Sequence, residues 1–172
     1  MANIPENGSN THGDETRLKL IAAATTVFIE QGFRAARVQQ IAESAGVRLS
    51  AINYHFGGKE GLYLAVLRHH GEQAIAQQPL FSDSQQTLQE QFRFMIHSLL
   101  LRMLDEQQGC QIAPLILREM VSPSAALDDV YQRFQQPQLK QVLSLLQKIL
   151  PQADQPTLLR CALSLFGQCI IY

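Results

Sequence analysis

The chain has 172 residues, 46% of them apolar and 17% charged, with a formal net charge of −1. This composition is that of a folded protein with one large or two small domains, and it excludes a disordered chain. No apolar run reaches the roughly 18 residues that cross a bilayer, and the polar start MANIPENGSNTHGDE lacks the apolar core of a signal peptide. We therefore predict a cytoplasmic protein whose residues 1–14 form a mobile tail.

Charge is unevenly distributed along the chain. Residues 16–70 carry seven basic and three acidic side chains, whereas residues 81–172 carry seven basic and eight acidic ones. A basic N-terminal part joined to a larger, nearly neutral part indicates two different functions. The three cysteines, Cys110, Cys161 and Cys169, are odd in number and widely spaced, which favours reduced thiols over a disulfide framework or a metal site. No cofactor is predicted.

Helical spacing runs through almost the whole chain and no segment alternates with period two, so the predicted fold class is all-α. A first helix is expected over residues 15–31, before Gly32. A second over residues 37–45 ends at Gly46, and a third over residues 49–56 is separated by two glycines from a fourth that begins at Lys59. The residues predicted to be buried in the first two helices are Leu20, Ile21, Ala24, Val27, Phe28, Val38, Ile41, Ala42 and Ala45.

Further helices are predicted in the C-terminal half. Pro79 is expected to end the fourth helix, and the cluster at residues 82–84 to cap a long fifth one. A bend is expected near Pro137. The fifth helix is predicted to run to about residue 107, and the later helices to cover residues 112–120, 123–150 and 155–172.

The segment from Val38 to His55 has the layout of a helix-turn-helix. Ala42 is small where two helices cross closely, and Gly46 lies four residues later, where the turn needs an unhindered backbone. Ile52, six residues further on, is placed to anchor the second helix onto the first.

The outer face of the second helix in this motif has the chemistry of a DNA reader. If Ile52 and Phe56 face the core, most of the residues between and before them project outward. Small residues at the start let the helix approach base edges, Asn53 can pair with adenine, and Tyr54 has the reach for a phosphate or a base. The predicted DNA-binding residues are Arg37, Gln39, Arg48, Ser50, Ala51, Asn53, Tyr54, His55 and Lys59.

Lys59 is interpreted as a phosphate ligand together with the free amides that begin the fourth helix. Each assignment has a structural alternative. Tyr54 and His55 could be packing residues at a helix end, Asn53 a helix cap, and Lys59 and Arg48 ordinary solvated side chains.

Three stretches, IAAATTVFIEQGF, VQQIAESAGV and INYHFGGKEGLYLAVL, resemble the DNA-binding half of TetR/AcrR transcriptional regulators. The C-terminal stretches LILREMVSPSAALDDVYQRF and LSLFGQCIIY resemble the CecR/CerR-like subgroup. The resemblance implies a three-helix DNA-binding unit over residues 15–70, joined by the fourth helix to a helical effector-binding and dimerisation domain over residues 71–172. It further implies a homodimer on a palindromic double-stranded DNA operator, a small-molecule effector and, by the family default, repression. The subgroup normally continues for one more helix beyond Tyr172.

Three positions depart from the usual family pattern. Ala36 and Arg37 stand where a threonine usually caps the second helix, so a capping side chain is missing. Asn53 stands where tyrosine is common, and Arg48 where a small polar residue is common. These departures leave the operator sequence open.

The apolar side chains of the C-terminal half include the candidates for an effector pocket. These candidates are Phe92, Met95, His97, Leu99, Met103, Leu115, Met120 and Phe134. The alternative is an ordinary core, because an apolar stripe at helical spacing usually packs inside a fold. Gln91, Arg118 and Glu119 are either polar specificity groups of this pocket or surface residues.

Two other classes of protein compete with a regulator. A helical enzyme would need acid, base or nucleophile groups that converge, and the five histidines are scattered along the chain, so no catalytic residue and no enzyme is predicted. An interaction protein with a degenerate helix-turn-helix would lack the steep salt dependence of DNA binding.

Overall fold

The computed structural model describes residues 8–82, 86–104 and 113–171. Within these ranges every regular element is helical and no strand is present, which confirms the predicted all-α class. The helices are α1 (Gly8–Ala35), α2 (Val38–Ser44), α3 (Ser50–Phe56), α4 (Lys59–Gln77), α5 (Leu88–Leu104), α6 (Ala113–Val121), α7 (Ala126–Val130), a π-helical turn (Tyr131–Gln135), α8 (Gln136–Ile149) and α9 (Gln155–Ile171). None of the described helices combines the length and the hydropathy that a membrane crossing requires.

The chain forms two compact units. The first unit contains Met1–His69 together with Pro114–Ala126, and the second contains His70–Ala113 together with Leu127–Tyr172. The inclusion of residues 114–126 in the first unit was not predicted. One contact of this segment is a hydrogen bond between α6 and α4, which is distant in sequence and which no local spacing reveals.

The predicted apolar stripe of α1 forms the centre of the first unit. All five of its members, Leu20, Ile21, Ala24, Val27 and Phe28, are buried, as predicted. Helices α2 and α3 pack against α1, and Ile41 and Ile52 are their largest buried side chains. The rings of Phe28 and Tyr63 meet edge to face at 4.9 Å, so α4 joins the same core.

Helix α1 begins seven residues before its predicted start. Residues 8–14 are helical and not a tail, whereas residues 1–7 lie outside the described part of the chain. The Thr16 hydroxyl donates a bond to the His12 carbonyl in the added turns, and Lys19 Nζ lies 2.8 Å from the Glu15 carboxylate at the predicted start. Gly32 interrupts the helical backbone with φ 75° and ψ 167°, close to the predicted end.

The second unit packs α5, α8 and α9 around one apolar core. Met95 and Leu99 of α5, Val142 and Leu146 of α8, and Leu158 of α9 are all buried in it. Because three helices share this core, α5 contacts both α8 and α9, and α8 contacts α9.

The cap of α5 differs from the prediction. The Thr87 hydroxyl accepts a hydrogen bond from the Glu90 N–H, and the Glu90 carboxylate accepts one of 2.8 Å from the Thr87 N–H, which together form a capping box. Hydrogen bonds from the hydroxyl and N–H of Thr87 lower the pKa of Glu90. Of the predicted cap cluster, Ser82 lies outside any helix and residues 83–84 lie outside the described ranges.

The predicted bend near Pro137 is a π-helical turn. Pro137 lies in the first turn of α8 and cannot donate the N–H bond of a continuous α-helix, and the chain widens over Tyr131–Gln135. The turn presents Phe134 to Gly71, where a Cβ atom would lie only 2.9 Å from the ring. A side chain at position 71 would therefore require the Phe134 ring to shift.

Candidate DNA-binding site

The turn between α2 and α3 has the geometry that its sequence predicts. Gly46 adopts φ 66°, its N–H donates to the Glu43 carbonyl at 3.0 Å, and the Val47 N–H donates to the Ala42 carbonyl at 3.0 Å. These two bonds form a Schellman motif, which ends α2 and turns the chain into α3. The helix-turn-helix therefore depends on the left-handed conformation of Gly46.

Helix α3 has one anchored face and one exposed face. Ile52 is buried against α1 and α2, and Phe56 is half-buried. Ser50 and Asn53 are exposed, and Tyr54 is 85% exposed. Ala51, also a predicted DNA contact, is half-buried and is therefore less accessible than Ser50 and Asn53.

Three consecutive rings form a row at the end of α3. The ring centroids of Tyr54 and His55 lie 4.9 Å apart at a steep angle, and those of His55 and Phe56 lie 6.1 Å apart. His55 is half-buried between its neighbours, so it packs at the helix end and still exposes part of its ring. The row presents Tyr54 at its outer end.

The junction between α3 and α4 is set by glycines. Gly57 ends α3 with φ 72° and donates its N–H to the Asn53 carbonyl at 2.9 Å. Gly61 lies so close to the end of α3 that a Cβ atom there would stand 1.8 Å from the Phe56 carbonyl oxygen. The sequence analysis noted the two glycines that separate the third and fourth helices but did not single out Gly61.

Lys59 is held by the end of α1. Its ammonium donates a 3.1 Å hydrogen bond to the Arg34 carbonyl and lies 5.0 Å from the centre of the Phe33 ring. The side chain is half-buried, so it is not the freely solvated lysine of the alternative interpretation. An ammonium has three donors, and the bond to Arg34 uses one of them.

The remaining predicted residues surround α2 and the turn. Arg37 is exposed at the N-cap of α2 with an extended backbone, and its side chain makes no capping bond, as the sequence predicts. Gln39 is exposed and donates to the Glu43 carboxylate at 3.0 Å. Arg48 is exposed in the turn before α3.

A buried carboxylate on α6 completes the first unit. Glu119 Oε1 accepts a 2.9 Å hydrogen bond from the Tyr63 hydroxyl, and Oε2 accepts bonds from the N–H and hydroxyl of Ser124 at 2.8 and 2.9 Å. Burial, and then the bond to Glu119, raise the pKa of Tyr63 well above its usual value. Glu119 is thus neither a surface residue nor a free polar group, and sequence offered no signal for its partner.

The neighbouring Arg118 reaches the end of α1. Its guanidinium donates a 3.3 Å bond to the Phe28 carbonyl and passes 3.1 Å from the place of a Cβ atom on Gly32. A groove of about 490 Å³ opens here in the first unit, with Phe33 and Tyr63 among its lining residues.

The structure distributes the predicted effector-pocket residues over several places. Met95 and Leu99 are buried in the core of the second unit, and Phe134 is buried against Gly71. Leu115 is buried but belongs to the first unit, and His97 is exposed. The side chains of Met103 and Met120 lie outside the described part of the structure.

Phe92, another of the pocket candidates, lines a groove. This groove, of about 470 Å³, lies in the second unit between α5, α8 and α9. Its apolar wall includes Leu146, Ile149, Leu150 and Leu165, and Cys161 is half-buried in it.

Two family models match separate segments of the chain. Residues 20–66 match the bacterial regulatory proteins of the tetR family, and residues 88–172 match the C-terminal domain of the HTH-type transcriptional dual regulator CecR. The chain belongs to the TetR family of transcriptional regulators, with a DNA-binding domain followed by a CecR-type domain. This confirms the predicted resemblance, and members of this family are regulators and not enzymes.

Individual relatives agree with the family models. The dual regulator CecR of Shigella flexneri is 33% identical over 139 residues, covering 70% of this chain and 58% of the relative. The activator FasR of Mycolicibacterium smegmatis is 39% identical over 69 residues, which cover 40% of this chain and 32% of FasR. The repressor NicS of Pseudomonas putida is 37% identical over 86 residues, which cover 48% of this chain and 41% of NicS. The chain therefore spans less than two thirds of the length of each of these relatives.

Solved structures show the same fold. A TetR transcriptional regulator from Chloroflexus aurantiacus matches with a TM-score of 0.72 at 18% identity, covering 92% of this chain and 82% of that one. The hemolysin II transcriptional regulator HlyIIR matches with a TM-score of 0.58 at 26% identity, and the match covers 78% of this chain and 73% of HlyIIR.

Proposed function

We propose that the protein is a ligand-responsive transcriptional repressor that binds a palindromic operator as a homodimer and is released by a small, largely apolar effector. The observation that carries this proposal is the exposed face of α3. Tyr54 is 85% exposed on a helix that Ile52 anchors from behind, next to the exposed Asn53. A short helix held in this way, with polar groups and a large ring facing outward, fits a major groove.

The residues of this surface divide into two roles. Asn53, with an exposed amide, is proposed to read a base edge. Tyr54, His55, Lys59, Arg37 and Arg48 are proposed to bind phosphates, which position the helix without reading sequence. Lys59 keeps two N–H donors beyond its bond to Arg34, and this supports its role as a phosphate ligand.

The homodimer is supported by an apolar stripe on α9. Leu159 is 40% exposed and Leu163, one turn later, is 57% exposed, while Phe166 continues the stripe half-buried. Two-fold symmetry would let the same stripe pack against its copy. Replacing both leucines with lysine should give a monomer by light scattering, whereas Leu18→Lys, on an exposed leucine of α1, should leave the dimer intact. A double variant that stays dimeric would exclude this interface.

The effector is proposed to enter the second unit. Its groove of about 470 Å³ is lined mainly by apolar side chains, with Thr157 and Arg160 as polar groups. An effector acts only if it binds one conformer better than another, and such coupling is typically worth about 1–3 kcal/mol. Apolar compounds that bind should raise the melting temperature and weaken operator binding, and Cys161→Phe should abolish both effects by filling the groove.

The named relatives differ in the direction of regulation. CecR, FasR and NicS are named a dual regulator, an activator and a repressor, respectively. Repression predicts that a reporter behind the operator is less active when the protein is expressed. Increased reporter activity would instead make this protein an activator. Because the proposed target is a DNA operator, the proposal includes a cytoplasmic location.

Selection of bound sites from a random duplex library, with light scattering of the same sample, tests the proposal as a whole. A dimer that enriches a palindrome with half-sites about 10 base pairs apart would support it. A stable dimer that enriches nothing would favour the alternative of a protein-interaction module.

Two substitutions separate the proposed roles on the selected operator. Lys59→Ala should weaken binding to all duplexes alike and reduce the salt slope by about 1, whereas Asn53→Ala should change preference at particular positions. Arg93→Ala, an exposed arginine of α5 in the second unit, is the matched control and should bind like the unchanged chain. If both variants bind as the unchanged chain does, the assignment of α3 is wrong.

A further inference from the structure

Arg17 lies outside the helix-turn-helix, on α1, yet it contacts the last residue of α3. Its guanidinium carbon is 5.7 Å from the centre of the Phe56 ring. The Arg17 side chain is exposed, and within the described part of the chain no carboxylate forms an ion pair with it. Lys19, two residues later, is in contrast paired with Glu15 at 2.8 Å.

Phe56 connects this arginine to the proposed DNA surface. The Phe56 ring is followed by His55 at 6.1 Å and His55 by Tyr54 at 4.9 Å, measured between ring centroids. The row therefore has a cation at its inner end and an exposed phenol at its outer end. The contact between Arg17 and Phe56 places a positive charge of α1 beside the end of α3.

A guanidinium over an aromatic face is well suited to bind phosphate. A guanidinium attracted to an aromatic face still has N–H groups that can donate two parallel bonds to an anion. The ring also restricts the side chain before binding, which reduces the entropy lost when the contact forms. Charge-assisted bonds of this kind are among the stronger hydrogen bonds that proteins make.

We propose that Arg17 is a phosphate ligand of the DNA surface and that Phe56 is the platform which holds it there. The proposal rests on the proposed function of α3 as the DNA-reading helix. It adds a second element, α1, to the bound surface and gives Phe56 a role beyond packing. Because a phosphate carries no sequence information, Arg17 should contribute affinity and not specificity.

The test measures affinity against salt concentration for the selected operator and for an unrelated duplex. Arg17→Ala should weaken binding to both duplexes by about tenfold and reduce the salt slope by about 1. Arg17→Lys, which keeps the charge but not the planar fork, should have an intermediate affinity. Lys19→Ala is the matched control on the same helix and should change affinity less than about twofold, because its charge is already paired.

The platform is tested by a double-mutant cycle. Phe56→Leu keeps an apolar anchor but removes the aromatic face, so it should weaken binding in the unchanged chain and have little further effect when Arg17 is already alanine. Thermal unfolding confirms that each variant is folded.

Three outcomes would overturn the inference. The first is an Arg17→Ala variant with unchanged affinity and salt slope, and the second is a loss confined to the operator, which would make Arg17 a base reader. The third is additive effects of Arg17→Ala and Phe56→Leu, which would remove the platform role. An unchanged chain that binds no duplex at all would instead overturn the proposed function, so the two failures are distinguishable.

Discussion

The hydroxyl of Tyr63 donates a 2.9 Å hydrogen bond to Oε1 of Glu119, although the two residues are 56 positions apart in the chain. Both side chains are buried. The other carboxylate oxygen accepts two bonds from Ser124, so Glu119 joins α4 to the segment that begins α7. Through this bridge, residues 114–126 are attached to the DNA-binding helices of the first unit by polar bonds as well as by apolar packing.

Removal of the phenol oxygen tests the strength of this bridge. Tyr63→Phe keeps the ring in contact with Phe28 but leaves Oε1 of a buried carboxylate without its donor. We expect the free energy of unfolding to fall by about 1–3 kcal/mol, because an unsatisfied buried group bears its full desolvation cost. Urea denaturation measures the change. Tyr131→Phe, at a tyrosine that is 38% exposed, is the control and should be neutral, and an equal effect of both variants would show that the bridge contributes nothing.

The same tyrosine should make stability depend on alkaline pH. Burial, with the bond to Glu119, raises the pKa of Tyr63 in the folded state, so above about pH 10 the unfolded chain releases this proton while the folded chain keeps it. The unfolded state then binds fewer protons, and the free energy of unfolding falls as pH rises. The stability advantage over Tyr63→Phe should thus be constant below about pH 9 and shrink above pH 10. A difference that grows with pH would contradict the shifted pKa.

The contact between Gly61 and the end of α3 predicts a sensitive position. In Gly61→Ala the new methyl group would stand 1.8 Å from the Phe56 carbonyl oxygen, so the backbone at the α3 to α4 junction must move. We expect a loss of about 1–3 kcal/mol in the free energy of unfolding, as for overpacked sites, and weaker DNA binding in the protein that remains folded. Urea denaturation and operator titration measure the two effects.

Gly13→Ala is the matched control for this prediction. Gly13 lies in α1, and no atom stands within 4 Å of a Cβ atom placed there. Alanine should stabilise the helix at this position by about 0.5–1 kcal/mol. A Gly61→Ala variant that behaves like Gly13→Ala would show that the junction adapts without cost.

The features that sequence predicted correctly are those set by neighbours in the chain. The spacing of Ala42, Gly46 and Ile52 fixes a Schellman turn and one buried face, and both depend on residues within a few turns. The Arg34 carbonyl that binds Lys59 lies 25 residues away, and the Tyr63 hydroxyl that binds Glu119 lies 56 residues away, so no local pattern contains that information. The same limit explains why Leu115, placed by spacing in an effector pocket, is buried in the first unit instead.

One missed feature was nevertheless visible in the sequence. Thr87 and Glu90 have the spacing of a capping box, but the denser cluster at residues 82–84 also suits a helix start. Both patterns are typical of a helix N-terminus. Which of them begins α5 depends on where the chain enters the core of the second unit. Leu80, which is buried there, belongs to the approach to α5 and not to the helix.

Arg37 offers a prediction in which stability and binding change in opposite directions. It occupies the N-cap of α2 with φ −106° and ψ 126°, and its side chain makes no capping bond. A threonine hydroxyl there could accept a bond from a free N–H of the first turn, so Arg37→Thr should raise the free energy of unfolding by about 0.5–1 kcal/mol. The same change removes a proposed phosphate contact and should weaken binding to all duplexes alike. Arg37→Ala separates the two effects, because it should lose the same affinity without the gain in stability. Equal stability of the threonine and alanine variants in urea denaturation would show that the N-cap is already satisfied, and unchanged affinity in both would remove Arg37 from the DNA surface.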